Sequence, residues 1–226
     1  MTLVSGRRGL AAVVMTTVIA LQPLRAGNLT LSVTGADGEP LRDAVAYVES
    51  SELSVRVDDD ARPEGEVDQR NQQFLPHAQA IRRGTSVRFP NNDQVRHHVF
   101  SFSEAKTFEL PLFADEAPRP IHFDSAGVVV LGCNIHDHMI GYLLIVDTPV
   151  FGNADDDGAI QLDGVPDDPE ATLRVWHPEL GEDDMGMTVD MNGDPRLDVS
   201  MDVTDTPPPE PRGLRDRRRN LQDRFD

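Results

Sequence analysis

The chain has 226 residues, of which 17 are glycine, 17 are proline and only 5% are aromatic. This length and composition allow one or two small β-rich domains and offer little helical periodicity, so all-β is the expected fold class. The formal net charge of −18 makes nucleic acid and anionic lipid poor partners, because an acidic surface repels phosphate. It favours basic protein partners instead.

Residues 1–26 have the pattern of a secretory signal. Arg7 and Arg8 precede the apolar run 10–21, and a cleavage site is expected after Ala26. The apolar run is shorter than the ~20 residues of a membrane-spanning helix, so no stable membrane insertion is expected. The mature protein is therefore predicted to be periplasmic or secreted. The arginine pair leaves both general secretory (Sec) export and twin-arginine (Tat) export open.

The next segment, residues 27–69, is predicted to hold two strands and a loop. Leu29–Val33 and Ala44–Val48 alternate apolar and polar residues around a Gly/Asp/Pro turn, which predicts a β-hairpin. From residue 51 to residue 72 polarity rises and periodicity is lost, which predicts a mobile loop. The segment is assigned to a small sandwich that residues 149–204 would complete.

Residues 70–148 contain a series of short apolar runs that predict an antiparallel β-sandwich. The predicted strands are Phe74–Ile81, Ser86–Phe89, His98–Phe102, Thr107–Leu112, Val128–Leu131 and Gly141–Val146. In such a sandwich the connecting loops cluster at the ends, where they can carry a binding site.

The loop after the fifth of these strands gathers metal-binding side chains. Cys133, the only cysteine of the chain, is followed by His136 and Met139 in the sequence GCNIHDHM. A thiolate and a thioether suit Cu(I), imidazole suits both copper oxidation states, and two His, one Cys and a distant Met form a blue-copper site. The second histidine is expected from His97 or His98, which begin another predicted strand.

Other readings of these residues remain open. Zinc is the main metal rival, although it prefers four firm tetrahedral ligands and Met is a poor one. An imidazole next to a thiol can also make a catalytic nucleophile. Cys133 lies between Gly132 and Asn134, so the chain lacks the flanking histidines of an oxygen-reducing copper cluster. A mononuclear site is the expectation that remains.

The remaining chain divides into a strand-rich region and a tail. Residues 149–204 include the predicted strands Ala159–Leu162, Ala171–His177 and Met187–Met191. Two or three strands are marginal alone, so this region is predicted to form one sandwich with residues 28–55, into which the copper domain is inserted. Residues 205–226 are Pro- and Arg-rich and poor in apolar residues, which predicts a disordered tail.

The ligand loop and the upstream N-N-D-x-V-x-H-H-V-F resemble the cupredoxins, and the C-x-x-H-x-x-M spacing is similar to that of amicyanin and shorter than that of plastocyanin. The resemblance implies a Greek-key sandwich holding one type 1 copper ion, bound by the ligands His97, Cys133, His136 and Met139. It places His98 where an asparagine usually braces the ligand loop. His138, between two ligands, is expected to be exposed; both residues are kept as outer-shell or alternate ligands.

Two further resemblances concern the surroundings of the site. The run from about 74 to 147 resembles bacterial proteins labelled methylamine utilization proteins. The segments at 33–45 and 158–176 resemble transthyretin-like or carboxypeptidase-regulatory β-sandwiches. The cupredoxin resemblance implies an electron carrier, not an enzyme, with a redox protein such as a dehydrogenase or a c-type cytochrome as partner. A copper-binding or copper-delivery protein without redox partners is the alternative.

Overall fold

The computed structural model describes residues 27–53, 63–114 and 119–203. The predicted signal at 1–26 and the predicted tail at 205–226 lie outside these residues. The strands of the first part are β1 (Gly27–Thr34), β2 (Val45–Glu49), β3 (Glu64–Glu66), β4 (Asp68–Arg70), β5 (Gln73–Leu75), β6 (Ala78–Arg82), β7 (Ser86–Arg88), β8 (His97–Ser103) and β9 (Lys106–Phe113). They are followed by β10 (Ile121–His122), β11 (Gly127–Gly132), β12 (Ile140–Val146), β13 (Phe151–Asn153), β14 (Ala159–Val165), β15 (Thr172–Trp176), β16 (Met187–Val189) and β17 (Arg196–Ser200).

The described residues are all-β, as the composition predicted. Their helical segments are two single 3₁₀ turns, Ser51–Leu53 and Pro178–Leu180. Among the described residues, no helix has the length and apolar character needed to cross a bilayer. Five of the six strands predicted between residues 74 and 146 are present, whereas the predicted strand Phe74–Ile81 is divided into β5 and β6, which pair with different strands. The strands β10, β13 and β17 are additional.

The strands form four sheets and one separate hairpin. Sheet I has the order β14-β1-β17, sheet II β13-β2-β15-β16, sheet III β6-β12-β11-β8-β9 and sheet IV β10-β7-β3, while β4 pairs with β5. Three pairs are parallel, namely β1 with β17, β3 with β7 and β6 with β12. Parallel neighbours require long crossover connections, so they are not visible as local hairpin signals in the sequence.

Three apolar cores lie between these sheets. The flanking core lies between sheets I and II, the shared core between sheets II and III, and the site core between sheets III and IV. Strand β12 shows how this is encoded: Leu143 and Ile145 face the site core, whereas Tyr142 and Leu144 face the shared core. A strand buried on both faces reads as a continuous apolar run, and β12 has one.

The predicted N-terminal hairpin is wrong. β1 belongs to sheet I and β2 to sheet II, so the two strands face each other across the flanking core instead of pairing. β1 pairs with β14 and β17, and β2 pairs with β13 and β15. Strands 27–49 therefore pair with strands from 151–200, although the predicted domain boundaries and the insertion arrangement stay predictions.

The loop predicted over residues 51–72 also needs correction. It contains β3 and β4, which pair with β7 and β5, two strands that lie within residues 70–148. Val67 and Gln69 are fully buried there. The strands are only three residues long, which is too short for an alternating pattern to show.

Candidate metal centre

Two histidines and the single cysteine meet at one end of sheet III. His97 begins β8, Cys133 directly follows β11, and His136 lies in the loop between β11 and β12. The two Nδ1 atoms are 3.2 Å apart, and Cys133 Sγ is 3.8 Å from His97 Nδ1 and 3.6 Å from His136 Nδ1. Within the described chain, these three form the group of His, Cys and acidic side chains whose donor atoms converge closely enough to hold a metal ion.

The size of this triangle fits a metal ion in its plane. A circle through three atoms with these separations has a radius of about 2.1 Å, close to the lengths of metal–imidazole (~2.0–2.1 Å) and metal–thiolate (~2.3 Å) bonds. The three donor atoms could therefore bind one ion in a trigonal arrangement with little movement. A trigonal set of two imidazoles and a thiolate is the arrangement found in blue-copper sites.

The loop from Cys133 to Met139 is closed by its own backbone. The Cys133 N–H donates to the Met139 carbonyl at 3.2 Å, and the Met139 N–H donates to the His136 carbonyl at 2.9 Å. Cys133 and Met139 are both buried in the site core, whereas His136 is half-buried and the neighbouring Ile135 is 51% exposed. The loop thus holds the thiol and the thioether inside, while His136 stays partly exposed.

His97 is completely buried and has a carboxylate behind it. Its Nε2 lies 3.0 Å from Asp93 Oδ2, on the side of the ring away from Cys133. The turn before β8 is fixed by Asn91, whose side-chain amide donates to the carbonyls of Val95 and Phe113 at 2.9 and 3.1 Å. This turn places both the ring and the carboxylate.

The charges around the site shift two pKa values. Burial, together with the nearby rings of His97 and His138, lowers the pKa of His136, so its ring is held in the neutral form that can bind a metal. Hydrogen bonds from the Gln72 backbone N–H and from the His97 ring lower the pKa of Asp93. The first shift favours the neutral imidazole that a metal ligand requires, and the second favours the ionised Asp93 carboxylate.

The two other predicted site histidines lie outside the donor triangle. His98 faces the opposite side of β8, where its Nε2 is 2.9 Å from Glu109 Oε1, and its Nδ1 has no hydrogen-bond partner among the described residues. His98 therefore contacts Glu109. It does not contact the ligand loop, which the asparagine at this position braces in the cupredoxins that the sequence resembles. His138 is exposed, with its ring centroid 6.3 Å from that of His136.

Sequence reasoning missed Asp93. The sequence Pro-Asn-Asn-Asp at residues 90–93 predicts a turn and no site residue, and Gln72 falls in the predicted loop. The available signal was the spacing of Asp93 and His97, four residues apart within that turn. It gains meaning only when the β4–β5 hairpin brings the Gln72 backbone to the same carboxylate.

The chemistry of the donors tests which metal fits. A structural zinc site has four firm ligands from Cys, His, Asp or Glu, and only three such groups converge among the described residues. Asp93 lies behind His97 and is not part of that group. Three strong donors with a buried methionine next to them in the loop suit copper better.

Comparison with known proteins gives partial structural matches. No protein-family model and no curated protein matches the chain. A copper-containing nitrite reductase from Thermus scotoductus SA-01 matches 37% of this chain, at 26% identity and a TM-score of 0.35; the chain spans 22% of that enzyme. A purple cupredoxin from Nitrosopumilus maritimus matches 37% at 21% identity, with 99% of its own length covered and a TM-score of 0.32. A reduced Cu(I) form of an amicyanin variant matches 45% at 19% identity, with 98% covered and a TM-score of 0.34. In each of the three, the similarity extends over less than half of this chain.

Proposed function

We propose that this chain is an exported, mononuclear blue-copper protein that carries single electrons between redox partners. The observation that supports the proposal most directly is the donor triangle of His97 Nδ1, Cys133 Sγ and His136 Nδ1, whose size matches a trigonal metal site. Met139, buried in the same core and joined to Cys133 through the backbone, is the proposed weak axial ligand.

Rigidity is the physical basis of the proposed activity. His97 and Cys133 are buried, and the ligand loop is closed by two backbone hydrogen bonds. Ligands that are held in one geometry for both oxidation states rearrange little when an electron arrives or leaves. The burial of His97 and Cys133 favours the carrier over the copper-delivery alternative, because a protein that hands over its metal needs ligands that a partner can reach.

The proposed path for the electron is the exposed edge of His136. This ring is half-buried, and Ile135 beside it offers an apolar surface for a partner. We propose a redox protein, such as a dehydrogenase or a c-type cytochrome, as that partner. The predicted signal at residues 1–26 would deliver the protein to the periplasm or the medium.

The proposal is tested by adding Cu(II) to the purified protein and recording its visible spectrum and its reduction potential. The thiolate of Cys133 in the trigonal plane should give an intense charge-transfer band, and Cys133→Ser should abolish it. His138→Ala is the matched control: it removes an exposed imidazole from the same loop and should keep the band. A colourless copper-loaded protein, or a band that persists in Cys133→Ser, would contradict the proposal.

A further inference from the structure

A buried histidine with a carboxylate behind it is a distinct feature of this site. Asp93 Oδ2 is 3.0 Å from His97 Nε2, and the Asp93 side chain is only 12% exposed. An ionised carboxylate only accepts hydrogen bonds, so the His97 Nε2–H must be the donor. The lone pair of His97 Nδ1 is then directed into the triangle with Cys133 and His136. The carboxylate selects the tautomer that can bind a metal.

Two backbone groups hold the carboxylate in this position. The Gln72 N–H donates to Asp93 Oδ2 at 2.7 Å, and the Gln94 N–H donates to Asp93 Oδ1 at 2.8 Å. The Gln72 N–H comes from the turn between β4 and β5, where Asn71 and Gln72 both have positive φ, 53° and 58°. Left-handed backbone is unfavourable for glutamine and persists where the surrounding structure requires it.

We propose that Asp93 is the positioning residue for His97 and that its negative charge favours Cu(II) over Cu(I) at this site. The inference rests on the proposed function, since it concerns the same copper ion. Cu(II) carries one more positive charge than Cu(I), and a carboxylate bonded to a metal-binding imidazole makes that imidazole a stronger donor. Because His97 is fully buried, this charge is poorly screened by water.

The variant Asp93→Asn separates charge from position. Its amide oxygen can still accept the hydrogen bonds from His97 Nε2 and from the Gln72 N–H, and the negative charge is gone. The one bond lost besides the charge is that from the Gln94 N–H, because the amide NH2 replaces the oxygen that accepts it. Asp124→Asn is the matched control, because it also removes one carboxylate. The Asp124 carboxylate accepts a hydrogen bond from Lys106, which lies opposite Ser103 in the β8–β9 pair. Ser103 ends β8, about 20 Å along the strand from His97.

The affinities for Cu(II) and Cu(I) and the reduction potential are measured for both variants. Asp93→Asn should weaken Cu(II) binding by about tenfold more than Cu(I) binding, which corresponds to a rise in potential of about 59 mV for one electron. Asp124→Asn should change the ratio by less than twofold. Equal shifts in the two variants, or no shift in Asp93→Asn, would overturn the charge role.

A measurement on the copper-free wild type tests the positioning role independently of copper and of the folding of any variant. Long-range ¹H–¹⁵N NMR spectra of the histidine rings should show the proton of His97 on Nε2. A proton on Nδ1 would overturn the proposal. If the wild type gives no thiolate–copper band while His97 has the Nε2–H tautomer, the blue-copper function fails and the positioning by Asp93 stands.

Discussion

His97 and His98 are neighbours in sequence but have different surroundings in the structure. Successive side chains of a strand point to opposite faces. His97 is accordingly buried among the donor atoms, whereas His98 lies against Glu109 and its ring is 5.5 Å from that of Phe100. One imidazole can bind the metal, and the other can influence it only from a distance.

We expect the two alanine variants to separate these roles. His97→Ala removes one corner of the donor triangle and should abolish the visible copper band. His98→Ala should retain the band and the copper content of the wild type, because this substitution removes a contact with Glu109 and none with the donor triangle. Copper content by atomic absorption and the visible spectrum check both. Loss of copper in His98→Ala with retention in His97→Ala would show that the ligand assignment is wrong by one residue.

The donor residues were accessible to sequence reasoning because two simple rules govern them. Cys133, His136 and Met139 share one loop, so the covalent chain keeps them close together. Strand alternation puts His97 and His98 on opposite faces, and the motif resemblance selects His97 as the ligand. Asp93 was not accessible in this way. Its position depends on the backbone of Gln72, 21 residues earlier. The left-handed conformation of that residue cannot be predicted from a glutamine side chain.

At the scale of elements, the β4–β5 hairpin supports the donor triangle from outside the sheet. Gln69 is fully buried, and its side-chain amide donates to the carbonyls of Phe89 and Pro90 at 3.3 and 3.1 Å. Through these bonds the hairpin is fixed to the turn that carries Asp93. Short strands of this kind escape prediction because three residues carry no period, and only burial reveals their role.

We expect the turn of this hairpin to be strained, which Gln72→Gly tests. Glycine keeps the N–H that binds Asp93. It removes the strain of the left-handed conformation, which costs other residues about 1–2 kcal/mol. It also adds chain entropy to the unfolded state, which lowers the stability by about 0.5–1 kcal/mol. The free energy of unfolding of the variant should equal that of the wild type or exceed it by up to about 1.5 kcal/mol. Gln73→Gly, the control at the start of β5, should lose about 0.5–1 kcal/mol. Urea unfolding of the copper-free protein measures both, and equal losses in the two variants would contradict the strain.

At the scale of the whole molecule, the small sandwich and the strands around the metal centre share a core. Tyr47 and Trp176 from sheet II pack in the same cluster as Tyr142 and Leu144 from sheet III. The rings of Tyr142 and Trp176 have centroids 6.1 Å apart. Sheet III is therefore covered on both faces. The apolar runs predicted its strands, but an apolar run does not say which sheet will cover it.

The strand order gives a sharp expectation for an isolated fragment of residues 150–204. In sheet I, β1 lies between β14 and β17, and in sheet II, β2 lies between β13 and β15. The fragment lacks both strands, so each sheet loses the neighbour that joins its parts. Isolated strands and hairpins are marginal in water.

The fragment should consequently be unfolded, with a circular dichroism spectrum lacking strand signal and rapid digestion by protease. The full chain under the same conditions is the control and should resist digestion. Adding a peptide of residues 27–53, which supplies β1 and β2, should restore strand signal if the two segments form one sandwich. Cooperative unfolding of the 150–204 fragment alone would contradict this. It would show that the strands after residue 150 form an independent domain, because their stability would then not depend on the strands that precede the metal-binding region.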